Sequence, residues 1–345
     1  MLYVTTRNNT DVFTAQRALR EKRGPDGGLY VPFRDPAFPK ENIASLKEKT
    51  FNRCIAETLN VLYKTQLTPW DVDFAIGRYA VRLVKLGQRI TVGETWHNLE
   101  SDFSRLVKNL SGLLRGDDDT DAIPGDWAEI GIRIAVLFGI FGELMRAGIA
   151  DVDTKVDISV VSGDFSAPMS AWYARKWGLP IGNIVCACNE NSNLWDFVCH
   201  GILRTGDVAM RTDTALADVA VPEGLERLIF AYGGMAETER FLETVRIGGN
   251  YYAEEPLLSN LRNGLYVTVS SKNRLASTIP SVFATHRYVL SPYGALTYAG
   301  LQDYRARTGE SRPALILAER SPLLDGEKTA DALGISVEAL ERYFR

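Results

Sequence analysis

The stretch Val160–Asn191, VVSGDFSAPMSAWYARKWGLPIGNIVCACNEN, decides the fold, because it reads as strand, glycine turn, helix and second strand without a break. Ile158 to Val161 is a short β-branched run that stops at Gly163, the pattern of a buried parallel strand. The turn Ser162-Gly163-Asp164-Phe165-Ser166 opens a helix, with Pro168 in its first turn, where a missing N–H costs nothing. Met169, Trp172, Tyr173 and Lys176 or Trp177 recur at helical spacing. Gly178-Leu179-Pro180 then stops the helix, and Ile184 to Ala187 resumes extended structure. The unit is βαβ, which makes the chain an α/β protein.

A glycine turn feeding a helix N-terminus presents unpaired N–H groups and the positive end of the helix dipole, a combination suited to phosphate. The same turn also serves merely to reverse the chain, and spacing alone leaves both readings open.

Outward from this unit, the 345 residues are 46% apolar and 24% charged, the range of an ordinary globular protein with room for one or two buried cores. A formal net charge of −4 with interspersed signs gives no broad basic face, so no nucleic-acid partner is expected. The apolar run Ile130 to Met145 is interrupted by Arg133 and Glu143, leaving nine apolar residues between them, against the ~20 needed to span a membrane. It reads as a buried helix whose Gly131, Gly139 and Gly142 would let it pack closely against the sheet, and no membrane partner is expected.

The acidic run Asp117 to Asp121 lacks the glutamate and spacing of a calcium loop, so it reads as a solvated turn and no metal is expected. Of the four cysteines, Cys186 and Cys188 lie two apart on the second strand and therefore share a face. With no secretion signal, they read as buried hydrophobes of a reducing compartment, and the expected location is the cytoplasm. The three histidines, His97, His200 and His286, pair with no serine or cysteine at triad spacing. Further elements are predicted as a helix over Ile55 to Tyr63, strands near Val81 to Val84 and Ile90 to Val92, and a capped terminal helix at Ser336 to Leu340.

VSGDFSA, WGLPI and ACNENS resemble the PTGNFGD, MGLPI and ATNEND of threonine synthases, enzymes of pyridoxal phosphate (PLP) fold type II. Tyr3 to Asn8 is similar to the family's YxSTRG opening, Pro25 to Pro32 to its DGGLYVP, and Asp218 to Phe230 to its MDISVSSNFERLLF. The resemblance implies a three-layer α/β/α architecture around a mainly parallel sheet. It also implies two parts: an N-terminal domain over residues 1–75, and a fold-type-II-like core over 76–345.

Departures from the family carry as much meaning as the matches. The segment Glu94 to Leu106 aligns with the family's ELFHGPTLAFKDF, which places Ser104 where the Schiff-base lysine belongs and turns HGPT into His97-Asn98-Leu99-Glu100. A hydroxyl cannot form an imine with the cofactor or act as a base of adjusted pKa. In the vestigial phosphate loop Asp164 replaces an asparagine and Ser166 a glycine, and a carboxylate at a helix N-terminus takes up the dipole itself and repels phosphate. Between about 111 and 126 the family carries most of a small cofactor subdomain, which is largely missing here. Near the end, Ser291 to Leu296 stands for DPHTAV, and Leu317 to Pro322 stands for LATAHP. That second match puts Glu319 where the family has a threonine near the pyridine ring.

The reading that follows is a threonine synthase-like protein with no catalytic residue and no cofactor, serving as a binding or subunit-type homologue. Its pocket candidates are His97, Asn98, Asn189, Asn191 and Glu319, its expected ligand an amino-acid-like small molecule, and its expected assembly a homodimer. Two alternatives stand beside it. One is a PLP-dependent lyase of threonine synthase type, acting on a phosphohomoserine-like amino acid with its lysine relocated to Lys108, one turn beyond Ser104. The other is a PLP-independent enzyme using Asp102, His97 or Glu100 as acid or base.

Overall fold

The structure, a computed structural model, describes residues 1–77, 81–96, 101–116 and 123–344. The N-terminal part contains β1 (Leu2–Thr5), β2 (Phe13–Thr14), α1 (Ala15–Arg20), β3 (Tyr30–Pro32), α2 (Lys40–Ala44), α3 (Phe51–Tyr63) and α4 (Pro69–Ile76). The core begins with β4 (Arg82–Lys85), β5 (Ile90–Glu94), α5 (Phe103–Arg115), α6 (Trp127–Arg146), β6 (Val156–Val161), α7 (Ser166–Lys176) and β7 (Ile181–Cys188). It continues through α8 (Asn193–His200), β8 (Ile202–Arg204), α9 (Leu225–Ile247), β9 (Asn250–Tyr252), α10 (Leu257–Arg262) and β10 (Leu265–Val269). It ends with α11 (Lys272–His286), α12 (Pro292–Thr308), β11 (Ala314–Ala318), α13 (Gly326–Leu333) and α14 (Val337–Phe344).

The predicted βαβ unit is β6-α7-β7, its strands parallel neighbours with Val160 opposite Cys186. They form the middle of a six-stranded sheet among the described residues, ordered β10-β7-β6-β11-β5-β4. Only the edge pair β4 and β5 is antiparallel. Alternation along the strands feeds two cores. Ile184, Cys186 and Cys188 face the cluster built with α6 and α7, whereas Val185 and Ala187 face α11 and α12. Helices on both faces of a mostly parallel sheet are the three-layer architecture expected from the sequence.

The long apolar helix is α6, capped by Asp126 and buried over nearly its whole length. Its glycines do pack closely, but the expectation that they face the sheet is corrected. A Cβ on Gly131 would lie 1.9 Å from Tyr63 Oη, and one on Gly139 would lie 2.6 Å from the Phe51 ring, so these two glycines admit α3 of the N-terminal part, while one on Gly142 would lie 2.9 Å from the Leu46 carbonyl just before it. The reason is side-chain bulk: α3 sends two large rings toward α6, and Tyr63 Oη donates to the Trp127 carbonyl at 2.7 Å. Between α5 and α6 there is only the connection 116–126, of which the acidic run 117–121 lies outside the described residues. Among the described residues no helix is long and apolar enough to cross a membrane, and no group of three or more potential ligands is placed to hold a metal ion.

Candidate functional site

A cavity of about 380 Å³ opens where β6 and β11 end, against the starts of α5 and α7. Crevices at the carboxyl ends of parallel strands are where open α/β sheets bind ligands. Ser104, Ser162, Gly163, Asp164 and Glu319 all line it, so five of the residues singled out from sequence meet in one place.

Ser104 is the second residue of α5, and its position follows from the cap before it. Asp102 accepts the Ser104 N–H at Oδ1 over 3.0 Å, and the Ser104 hydroxyl donates to the same oxygen. Asp102 is in turn tied across the cavity, because its Oδ2 pairs with Arg320 at 3.0 Å and Arg320 pairs with Asp325 at 2.6 Å. Lys108 lies on the exposed face of α5 and does not line the cavity, where Val107 does.

In the turn between β6 and α7, Gly163 adopts φ +44°, a left-handed value suited to glycine, and Phe165 follows at φ +77° with its ring buried. Phe165 occupies the cap position of α7 but has no polar atom to offer, so Asp164 supplies the cap. Its Oδ1 accepts the Ser166 N–H and its Oδ2 the Ser166 hydroxyl, each at 2.9 Å.

The opposite wall is a charged relay that the sequence reading missed. Arg133 of α6 donates from Nε to Glu129 at 2.7 Å and from Nη1 to Glu319 at 2.6 Å, with its guanidinium 4.6 Å from the centre of the Phe103 ring. Burial opposes its charge, but Glu319 and Glu129 outweigh that effect and hold the guanidinium above its ordinary pKa. Glu129 also accepts the Gly125 N–H at 2.7 Å. Beside it, burial pushes the Asp126 carboxyl up to about 6, against the pull of the Glu129 N–H and Arg115. The signal was available in the sequence: a glutamate and an arginine four apart in an otherwise apolar helix must be paired.

Asn189 and Asn191 do not reach the cavity. The Asn189 amide donates to Asp218 Oδ1 at 2.7 Å and to Thr212 Oγ1 at 2.9 Å, while that of Asn191 donates to the Met210 carbonyl at 3.0 Å. Their polar groups anchor the segment 210–218 to the end of β7. That segment contributes Leu216 to the cavity, where its N–H donates to Tyr293 Oη at 3.1 Å. His97 and Asn98, with Leu99 and Glu100, lie outside the described residues.

The fold is that of the PLP fold type II architecture, an open and mostly parallel sheet with its crevice at the carboxyl ends of the strands. The structure aligns with PLP-bound threonine synthase from Brucella melitensis at a TM-score of 0.87, covering 97% of this chain and 92% of that one at 19% identity. It aligns with yeast threonine synthase at 0.83, covering 98% and 91% at 16% identity. Residues 2–77 match the family model for the threonine synthase N terminus. In sequence the chain is 26% identical over 176 residues to threonine synthase-like 1 of Homo sapiens, across 50% of this chain and 23% of that protein. The match thus spans less than a quarter of that relative's length. In N-terminal sequence and in fold, the chain is similar to threonine synthases.

The residues of the cavity do not fit PLP. The cofactor needs a primary amine for its aldehyde and a cradle for its phosphate. Among the described residues no lysine lines the cavity, and none of the undescribed positions is a lysine. Lys22 lies near the loop, since a Cβ on Gly125 would lie 3.9 Å from its Nζ and 3.4 Å from Asp164 Oδ2, but its amine is paired with Glu223 at 2.7 Å. At the loop, the Ser166 donors are already engaged by Asp164.

Proposed function

We propose that this chain is a threonine synthase-like protein that forms no Schiff base with pyridoxal phosphate and acts as a binding or subunit-type protein rather than a catalyst. The observation that carries the reading is Ser104 at the cavity, hydrogen-bonded to Asp102, with no lysine among the described residues of the cavity walls. The crevice itself is retained, at a size suited to a small amino-acid-like molecule, and its paired charges support a polar ligand over an apolar one. Self-association as a homodimer belongs to the same reading, supported by Trp70 and Phe74, which stand in solvent one turn apart on α4. A cytoplasmic location is supported by the buried thiols of Cys54, Cys186 and Cys188, none of them in a disulfide.

The test is to incubate the protein with PLP, record the visible spectrum, reduce with borohydride and map any pyridoxyl peptide by mass. The expected result is no absorption band and no modified peptide. A band that disappears in Lys108→Ala or Lys22→Ala would identify a substitute amine and overturn the reading, as would rescue of a threonine auxotroph. A monomer by light scattering at micromolar concentration would remove the dimer.

A further inference from the structure

We propose that Asp164 is the resident anion of the α7 N-terminus, and that through it this cavity selects against phosphate and phosphorylated small molecules. The proposal goes beyond the absence of a Schiff base, because it concerns which ligands the cavity admits and not what chemistry it performs.

A helix leaves its first N–H groups without partners inside the helix, and those groups attract whatever anion is near. α7 runs for eleven residues from Ser166, and the residue before it, Phe165, carries no acceptor. Pro168 removes one of the early N–H donors altogether. Among the donors that remain at the mouth of the cavity are the Ser166 N–H and the Ser166 hydroxyl, beside the N–H of Ala167. The two Ser166 donors both go to the Asp164 carboxylate at 2.9 Å, one to each oxygen, as they would to two oxygens of a phosphate.

The carboxylate is held there by its main chain. The Asp164 carbonyl accepts the Gly224 N–H at 2.9 Å, and Gly163 lies so close under the Leu216 carbonyl that an added Cβ would approach it to 3.3 Å. The loop is therefore clasped by the segment 216–224 and is not placed to swing the carboxylate out of the way.

Nor do the other described residues of the cavity offer a second anion an unshared counter-charge. Among the described residues its walls carry four carboxylates, Asp102, Glu129, Asp164 and Glu319, against the two guanidinium groups of Arg133 and Arg320. Arg133 is shared between Glu129 and Glu319, and Arg320 between Asp102 and Asp325. An incoming dianion would meet a surplus of negative charge at close range, in a partly dehydrated site where screening is weak. The class of ligand that fits is a small, phosphate-free molecule, neutral or carrying an ammonium group.

The test titrates inorganic phosphate, which has no carbonyl and so reports on the loop regardless of any amine. Binding is read by phosphorus NMR line width and by the phosphate dependence of the thermal midpoint, with chloride holding ionic strength constant. The parent protein is expected to show no saturable binding. Asp164→Ala, which empties the α7 terminus, is expected to bind at least roughly tenfold more tightly than the parent. Asp164→Asn removes the charge but leaves an acceptor for the Ser166 N–H, and is expected to gain less. Asp102→Asn lowers the charge of the same cavity away from α7 and is expected to gain clearly less than Asp164→Ala.

Phosphate binding by the parent, or none by a folded Asp164→Ala, overturns the proposal. Equal gains in Asp164→Ala and Asp102→Asn overturn it as well, since general charge then suffices, and equal gains in the two Asp164 variants overturn the part assigned to occupancy. If Asp164→Ala loses its far-ultraviolet dichroism, Asp164→Asn against the parent carries the test: a gain supports the proposal and no gain overturns it.

Discussion

Arg133→Met tests the charged wall of the cavity most directly. The arginine side chain is 15% exposed, Glu129 11% and Glu319 28%, so all three charges sit largely out of water. Stranding one partner of a buried pair costs about 3–5 kcal/mol. The lower end applies here, because Glu129 keeps the Gly125 N–H at 2.7 Å and Glu319 has water on one side. The guanidinium also lies over Phe103, an interaction of roughly 0.5–1 kcal/mol. Methionine retains the aliphatic stem and leaves little void, so the expected loss is about 3–4 kcal/mol, nearly all electrostatic.

The assay is urea unfolding followed by tryptophan fluorescence near neutral pH, with the slope checked for constancy across variants. Glu319→Gln alone is expected to cost about 1 kcal/mol, since its amide oxygen still accepts from Arg133. Combined with Arg133→Met it should recover stability, because one stranded charge is gone. If Arg133→Met stays within about 1 kcal/mol of the parent, or if Glu319→Gln adds its full cost on top, the three groups do not form the coupled unit argued here.

Gly131→Ala is expected to lose about 2 kcal/mol: overpacking against Tyr63 and the strained hydrogen bond to Trp127 outweigh the better helix propensity of alanine. Tyr63→Phe should recover part of that loss in the double variant, and urea midpoints measure both. Asp126 gives a pH signature. Its folded pKa of about 6 lies above the ordinary range of an aspartate, so the folded state holds the extra proton between the two and the contribution to stability is lost as pH rises through about 6. Asp126→Asn keeps the cap but cannot ionise. Its stability relative to the parent should therefore rise between about pH 4 and 7, and a constant difference across that range would refute the assignment.

How far the sequence could be read follows the range of each interaction. The βαβ unit was legible because strand and helix periodicities are local, and Asp164 was legible because its partner, Ser166, is two residues away. Arg133 was seen only as a break in an apolar run, since Glu319 lies 186 residues further along and nothing in either neighbourhood announces the other. The glycines of α6 declared that something approaches closely but not what. A small residue records the space it leaves, and whether a strand or the rings of α3 fills that space is settled only by topology. Asn189 and Asn191 follow the second strand where a ligand-binding amide is expected, yet Asp218 and the 210–214 backbone engage them. Local spacing does not reveal that competition.

Two independent features separate this cavity from one that could hold PLP, and restoring either alone should fail. Ser104→Lys would place an amine on α5 at the cavity, but its reach is of no use while Asp164 occupies the α7 terminus, because a cofactor without a phosphate anchor is not held at the distance where amine and aldehyde react. Asp164→Ala would open the anchor but provide no amine. Only Ser104→Lys with Asp164→Ala is expected to give a pyridoxyl peptide at residue 104 after borohydride reduction, the single variants giving none above the parent. If Ser104→Lys alone is modified fully at stoichiometric PLP, the loop does not exclude the cofactor and the lost amine is the whole difference. If the double variant binds inorganic phosphate and still escapes modification, the start of α5 does not point its second residue into the space that the phosphate defines, and the correspondence between Ser104 and the family's lysine fails with it.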